Sequence, residues 1–488
     1  MTDTTRARSA PDAPPSALAI EQNGLNVIPE DERKGRPFDL FWTWFASNVG
    51  VTSVAYGSFL LAYGVSLVEG IVAGVVGIAL SFLLVGLASL AGKRGSAPTM
   101  VLSRAAFGVE GGRVPSFLTY VLQVGWETVT AVLAVDATAS VFTRLGWSSG
   151  TATKLLAFAF VAVVIAGAAL IGLEMIQRLQ RFVTVATIVL LVGFLALTAR
   201  HVHWSQATSL HAGGATAFVG ALVFAFAGFG LGWTNIAADF SRYLPRSASG
   251  PKVVGWTTLG ASIAPVVLVL DGLLLVGSNP DLNDKIAADP IGGLAGILPT
   301  WYLVPFVVVA LLGLIGGSVL NIYSSGLAML SIGVRVPRHV AVLIDTGLMV
   351  VGTIYVVWFS SGFLPVFTAF LITLGVPIAA WSGIFLADLL LRRGPYSETD
   401  LFDRDGRYGA ANPAALAILA AGAAVGWGLV VNAGASWLSW QGYLLGPLGL
   451  GGTSGTWAQA NVGVVVALAI GFLGYLALCG RRVRRQRA

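Results

Sequence analysis

The sequence predicts an all-α polytopic membrane protein of twelve transmembrane helices, on three observations. Twelve stretches are long and apolar enough to cross a bilayer. The basic residues cluster in alternate connecting segments, and two spans five apart are interrupted by glycines and small polar residues.

The first observation starts from composition. Of 488 residues, 56% are hydrophobic and only 11% charged, with a mean hydropathy of +0.81. A soluble fold cannot hide that much apolar surface from water, whereas a bilayer removes the need to. A spanning helix takes ~20 mostly apolar residues. Such stretches run over 40–64, 67–91, 116–143, 153–173, 180–199, 215–239, 253–277, 301–331, 339–359, 362–391, 414–433 and 460–479.

Charge then orients them. Segments 1–39, 92–115, 174–181, 240–252, 332–338, 392–413 and 480–488 hold 25 of the 29 lysines and arginines, leaving Arg144, Lys154, Arg200 and Lys285 on the other side. By the positive-inside rule both termini are cytoplasmic. The chain divides into a cytoplasmic N-terminal segment (1–39), a ten-helix core (40–391), a cytoplasmic loop (392–413), helices eleven and twelve (414–479) and a basic tail (480–488). Residues 1–18 are poor in bulky apolar side chains and are expected to be disordered. The basic pI of 9.5 reports this topology. A nucleic-acid partner is not expected, because its binding charge would gather on one domain. The single cysteine, Cys479, leaves no internal disulfide or cysteine metal cluster, and no cleavable signal peptide is expected before the first span. The expected location is a plasma (inner) membrane, of bacterial type, and nothing calls for an obligate protein partner.

The third observation narrows the architecture. The first span reads Ser47-Asn48-Val49-Gly50-Val51-Thr52-Ser53, and the sixth reads Gly228-Phe229-Gly230-Leu231-Gly232-Trp233-Thr234-Asn235. A broken helix leaves backbone groups unpaired, which is costly in hydrocarbon unless they line a cavity or bind something. Paired breaks five spans apart predict an inverted repeat, about 40–199 and 215–391, with a binding site at the seam. Close helix packing is the alternative use of these glycines.

Few side chains in the spans could carry chemistry. Gln123 and Trp126 are three apart in the third span and share a helix face. A planar amide and an indole suit a flat heterocycle with an amide-like edge; a core tryptophan and an interhelical glutamine are the alternative, and spacing leaves the two level. Phe229 and Trp233 offer a second aromatic wall. In the eighth span Ser318, Asn321, Ser324 and Ser325 bring polar groups to the core, as interhelical bonds or as substrate contacts. Acidic groups deep in the spans are few: Glu127, Asp136, Asp271 and Asp345, with Asp239 and Asp388 near span ends. Each should be neutral, paired or facing water. Glu127 is placed to exchange a proton with the site but points about 100° away from Trp126, so structural pairing is the other reading.

With these residues in view, the chain resembles the type-1 nucleobase–cation symporters, in their purine–cytosine permease branch. The marks are Glu21-Gln-Asn-Gly-Leu-Asn-Val-Ile-Pro29 with Glu32-Arg33, Gly95-Ser-Ala-Pro98 with Ser103-Arg104 and Phe107-Gly108, Gln123-Val-Gly-Trp126, Gly232-Trp-Thr-Asn-Ile-Ala-Ala-Asp239 through Pro245, and Asn321-Ile-Tyr-Ser324. The resemblance implies a LeuT-type fold, a five-plus-five inverted repeat with two extra helices. It implies a ring held by Gln123 and Trp126, with Phe229 opposite and Gly230, Trp233, Ser318 and Asn321 around it. A coupling sodium would lie between backbone carbonyls near Ser47 and Val51 and hydroxyls of the eighth span. There, however, the chain reads Gly316-Gly317, with Ser318 the next hydroxyl. Losing two side-chain ligands should weaken a sodium site, and the fungal relatives look like proton symporters, so either cation stays open.

The function expected from residues and resemblance together is import of a nucleobase, cytosine or a purine, by symport with H⁺ or Na⁺ and without a cofactor. Uracil, allantoin, hydantoins and vitamin-like heterocycles are the nearest other substrates. An intramembrane enzyme is disfavoured because no H-E-x-x-H, G-x-S-x-G or paired catalytic aspartate motif occurs in a span. A channel is the remaining class.

Overall fold

The computed structural model describes residues 23–148, 150–171, 173–359, 363–432 and 435–487. The expected disordered segment 1–18, and the first two residues of the Glu21–Pro29 motif, lie outside them. The fold is helical, and its long elements follow the chain as α1 (Asp39–Asn48), α2 (Thr52–Leu61), α3 (Leu67–Gly95), α4 (Thr99–Phe107), α5 (Arg113–Arg144), α6 (Thr151–Ile171), α7 (Leu173–Thr198), α8 (Gly214–Phe226), α9 (Ala237–Ser241), α10 (Gly250–Gly277), α11 (Leu303–Ile332), α12 (Arg338–Phe359), α13 (Phe363–Arg392), α14 (Pro413–Trp427) and α15 (Gly463–Arg487). Among the described residues nine helices are long and apolar enough to cross a membrane. Three shorter apolar helices, Thr52–Leu61, Thr151–Val164 and Pro413–Trp427, fall in the first, fourth and eleventh predicted spans.

Several boundaries differ from the sequence reading. Segment 174–181, expected as a cytoplasmic connecting segment, lies in a helix that runs from Leu173 onward. The connection after α10 holds two short helices, Pro280–Ala288 and Pro290–Ala295, the second begun by the Asp289 carboxylate accepting from Gly292 N at 2.9 Å. The basic tail continues the last helix to Arg487. In each case hydropathy marked where apolar character stops, not where backbone hydrogen bonding stops.

Both predicted breaks are present. Between α1 and α2 the chain is extended at Val49, φ −87° and ψ 101°. The sixth span is α8, a π-helical turn over Ala227–Leu231, one helical turn Gly232–Thr234, and a second interruption at Asn235–Ile236 before α9. The two broken spans meet: the Tyr56 hydroxyl on α2 donates to the Gly228 carbonyl, within the wide turn, at 3.0 Å.

Polar sequence motifs lock one end of the bundle. The Asp239 carboxylate on α9 accepts from Thr99 N at 2.7 Å and Thr99 Oγ1 at 2.8 Å, at the start of α4. The fully buried Arg242 donates to Gly24 O at 2.8 Å and to the Tyr323 hydroxyl on α11 at 2.8 Å. Ile28 N donates to Ser96 O at 2.8 Å. Four stretches far apart in sequence thus close around one another. Beyond the core, Arg392 at the end of α13 makes two charge-assisted bonds to Asp388, at 2.7 and 2.9 Å, and Tyr475 on α15 donates to the same carboxylate at 2.8 Å. Both partners of this ion pair are buried within α13, and the Tyr475 bond fixes α15 against it.

Candidate functional site

A cavity of about 110 Å³ lies where the two broken spans face α5 and α11. Its walls are aromatic: Trp126 from α5, Phe229 and Trp233 from the sixth span, Tyr56 and Phe59 from α2, and Phe363 and Phe367 from α13. Trp126 is held edge-on by Phe367 and Phe370, at ring-centroid distances of 5.6 and 5.8 Å. Its indole Nε1 lies against Gly232, where a Cβ would come within 2.9 Å. Phe229 is fixed from behind by Tyr56, 4.4 Å between centroids, and Trp233 packs edge-on against Trp44 at 5.6 Å. The indole of Trp126 and the ring of Phe229 are thus anchored by different neighbours and border the same space.

Polar groups enter that space at few points. Asn321 from α11 is buried and lines the cavity, and its side chain makes no hydrogen bond among the described residues. Asn48 donates its amide to Trp44 O at 2.9 Å, which leaves its carbonyl oxygen available. Thr52 and Ser53, at the start of α2, add hydroxyls. Thr130, one turn after Trp126, shares a hydrogen bond with Ser318 at 2.5 Å. An apolar cage with a small number of aimed amide and hydroxyl groups is the usual make-up of a site for a small neutral heterocycle.

Of the residues singled out from sequence, Trp126, Phe229, Trp233, Asn321, Ser47 and Gly317 line the cavity. Gln123, Gly230, Ser318, Val51 and Glu127 are not among its lining residues. Gln123 is fully buried and donates its amide to Asn235 Oδ1 at 3.2 Å and to the Gly232 carbonyl at 3.3 Å, so it ties α5 to the broken sixth span. Its Oε1 is buried without a partner. Gly230 packs on the backbone of α3 and donates its N–H to Ser81 Oγ at 2.9 Å. Tyr56, Phe363, Phe367 and Thr130 were missed by the sequence reading. The two phenylalanines sit four apart on one helix face, a spacing that a plain core helix shows equally.

The region between α1 and α11 bears on the cation. The Ala46 carbonyl lies over Gly316, where a Cβ would come within 2.8 Å, and Val49 O lies over Gly313 at 2.9 Å by the same measure. Gly317 is looser, 3.3 Å from Ser47 O. The Ser47 hydroxyl is spent on Thr43 O at 2.6 Å, and that of Ser318 on Thr130. From α7, the buried Gln180 donates its amide to the Gly316 carbonyl at 2.7 Å. An amide N–H therefore already occupies one of the backbone oxygens in this joint. Among the described residues no group of three or more His, Cys, Asp or Glu could hold a metal ion.

Glu127 turns away from the cavity toward α11 and α12. The Ser325 hydroxyl lies 2.9 Å from Glu127 Oε1 and also against Asp345 Oδ2, and both carboxyls are fully buried. A serine has one proton to give. Only one of its two carboxyl contacts can use it; the other is a hydrogen bond only when that carboxyl carries a proton of its own. No basic side chain pairs with either among the described residues, and Tyr120 on α5 is the other titratable group facing Asp345.

Comparison with known proteins places this architecture. Residues 27–446 match the family of permeases for cytosine/purines, uracil, thiamine and allantoin. The purine-cytosine permease FCY21 of Saccharomyces cerevisiae is 26% identical over 459 residues, covering 84% of this chain and 80% of that protein. The YxlA protein of Bacillus subtilis is also 26% identical, over 403 residues, covering 81% and 85%. Among solved structures, Mhp1, a nucleobase-cation-symport-1 family transporter, in a closed conformation with bromovinylhydantoin bound, superposes with a TM-score of 0.71 at 20% identity, over 97% of this chain and 99% of that one. Its inward-facing conformation gives 0.64 at 19% identity, over 96% and 99%. The likeness establishes the fold.

Proposed function

The chain belongs to the family of permeases for cytosine/purines, uracil, thiamine and allantoin, and on that footing we propose that it imports a nucleobase, cytosine foremost, by symport with protons. It is a membrane permease and not an enzyme. The observation that carries the reading is the aromatic cavity with the unpartnered Asn321 amide at its wall. The ring stacks on Trp126 with Phe229 across from it, and Asn321, with the free oxygen of Asn48, reads its polar edge. Gln123 holds the sixth span in register behind Trp126.

Size does not choose between one ring and two: a cavity of about 150 Å³ takes benzene, and the 110 Å³ present here admits either ring system only when side chains move. Uracil, allantoin and hydantoins remain the competing monocycles; their edges differ from that of cytosine in donor and acceptor order, which Asn321 can sense.

For the cation, two observations support protons. Glycines 313, 316 and 317 put no side-chain oxygen beside the α1 carbonyls, and the Gln180 amide already takes up the Gly316 carbonyl. The Glu127–Ser325–Asp345 cluster, in turn, makes both of its Ser325–carboxyl hydrogen bonds only with a proton on board. Helices α5 and α11 carry Glu127 and Ser325 of this cluster as well as the substrate residues Trp126 and Asn321, so a shift of either helix on substrate binding is felt at the carboxyls. One charge crossing 100 mV yields ~2.3 kcal/mol, and at ~1.4 kcal/mol per decade this supports more than tenfold accumulation.

The test is uptake of labelled cytosine, uracil, adenine and allantoin into proteoliposomes, with proton and sodium gradients imposed separately. Saturable cytosine uptake driven by the proton gradient is expected, and Glu127→Gln should flatten its pH dependence. Uptake driven by sodium alone, or an unchanged pH profile in that variant, removes the carboxyl pair from coupling. Absence of uptake for every heterocycle refutes the substrate reading.

A further inference from the structure

Away from the substrate cavity, an apolar trough of about 590 Å³ runs between α3, α13 and α15. Leu84, Leu87 and Leu90 recur along one face of α3 at helical spacing, and Leu389 of α13 and Leu468 of α15 close the floor. Leu390 and Leu473, 51% and 62% exposed, stand at its open side. The trough ends at Arg94 and Arg393. There it meets a second hollow bordered by Lys93 and by Gly250 and Pro251 at the first turn of the 28-residue helix α10.

Three features of this junction converge on one ligand. Among the described residues, Lys93, Arg94 and Arg393 form no ion pair; Arg94 bonds only a backbone carbonyl, Leu389 O, at 3.2 Å. The free N–H groups of α10 add to the same positive field. Finally, from Leu84 to Arg94 the face of α3 rises ~15 Å, half of the ~30 Å hydrocarbon core and so the depth of one leaflet. An apolar slot one acyl chain deep, opening sideways and capped by three unpaired cations, has the charge and dimensions of a phospholipid with its phosphate at the basic end.

We propose that this trough binds an anionic phospholipid, with an acyl chain along α3 and α13 and its phosphate held by Lys93, Arg94 and Arg393. The lipid would bridge the ten-helix core to α15, a contact that otherwise rests on helix packing and the Asp388–Arg392–Tyr475 cluster. It gives the last helix a role in seating the core in a charged membrane. Positive charge near the ends of spans also follows from topology alone, so the test must separate a built site from general attraction.

Purified full-length protein in mild detergent is titrated with phosphatidylglycerol, phosphatidylcholine and inorganic phosphate, and bound lipid is read by native mass spectrometry alongside the thermal midpoint. One phosphatidylglycerol retained per chain, with a raised midpoint, is expected; phosphatidylcholine and phosphate should do neither. The paired change Arg94→Gln with Arg393→Gln should weaken retention roughly 30-fold, Leu473→Trp should obstruct the slot, and Arg335→Gln, at another loop, should leave retention unchanged. Equal retention of phosphatidylcholine, a response to phosphate alone, or full retention in the paired variant overturns the proposal. So does a shift to a dimer that Leu473→Trp abolishes, which would make the trough a contact between two copies of the chain.

Discussion

Replacing Trp126 by alanine removes the surface on which the account places the substrate ring, and the size of the loss can be worked out. Stacking of a base on an aromatic side chain is worth ~1–3 kcal/mol, and at ~1.4 kcal/mol per decade binding should weaken roughly 5- to 150-fold. The same change forfeits the edge contacts with Phe367 and Phe370, each worth ~0.5–1.5 kcal/mol beyond buried area, so the thermal midpoint should fall as well. Trp126→Phe separates the two effects: it keeps a ring face toward the cavity but gives up the indole Nε1 that lies against Gly232. The assay is equilibrium binding of labelled cytosine to detergent-purified protein, with folding checked by size-exclusion profile and midpoint. The expected order of affinity is wild type, then Trp126→Phe, then Trp126→Ala. Wild-type affinity, within twofold, in a folded Trp126→Ala protein would refute stacking as the source of binding and return the indole to a packing role.

Three further outcomes follow from the same geometry. Asn321→Ala removes an amide that no protein group needs, so it should weaken binding roughly 2- to 12-fold, the worth of one neutral hydrogen bond, with an unchanged thermal midpoint; a lowered midpoint with intact affinity would make Asn321 structural. Gly316→Ala places a Cβ within 2.8 Å of the Ala46 carbonyl, an overpacking worth ~1–3 kcal/mol, and should lower the midpoint and slow uptake; a neutral result would mean that α1 and α11 are not in close contact. Arg392→Met strands the buried Asp388 and should cost ~3–5 kcal/mol, whereas adding Asp388→Asn should recover part of the loss, as thermal unfolding in detergent would show.

What the sequence revealed and what it hid have separate physical causes. The spans were legible because hydrocarbon imposes one demand on all of them, and the breaks at Val49 and near Gly228 were legible because glycine and small polar residues defeat helix continuity wherever they fall. Trp126 and Asn321 could be marked because a polar or amphipathic group in a span needs a reason to be there. Phe363, Phe367 and Tyr56 could not, since an aromatic facing a cavity and one facing another helix look the same in a string of residues. The placement of Gln123 behind the sixth span depends on a long-range bond to Asn235, and the pairing of Glu127 with Asp345 through Ser325 joins three helices. Spacing along one helix reports a shared face but not which neighbour that face meets. Segment 174–181 was read as a connection for a related reason: Glu174, Arg178 and Arg181 interrupt the apolar run without interrupting backbone hydrogen bonding.

The central claim is that a flat heterocycle lies between Trp126 and Phe229 in the cavity shared by the two broken spans. A structure of the protein solved with cytosine bound tests it most directly. Planar density parallel to the Trp126 indole is expected, with its polar edge within hydrogen-bonding distance of the Asn321 amide. Cytosine seated elsewhere, with the indole still turned against Phe367, Phe370 and Gly232 and no ligand on its face, would contradict it.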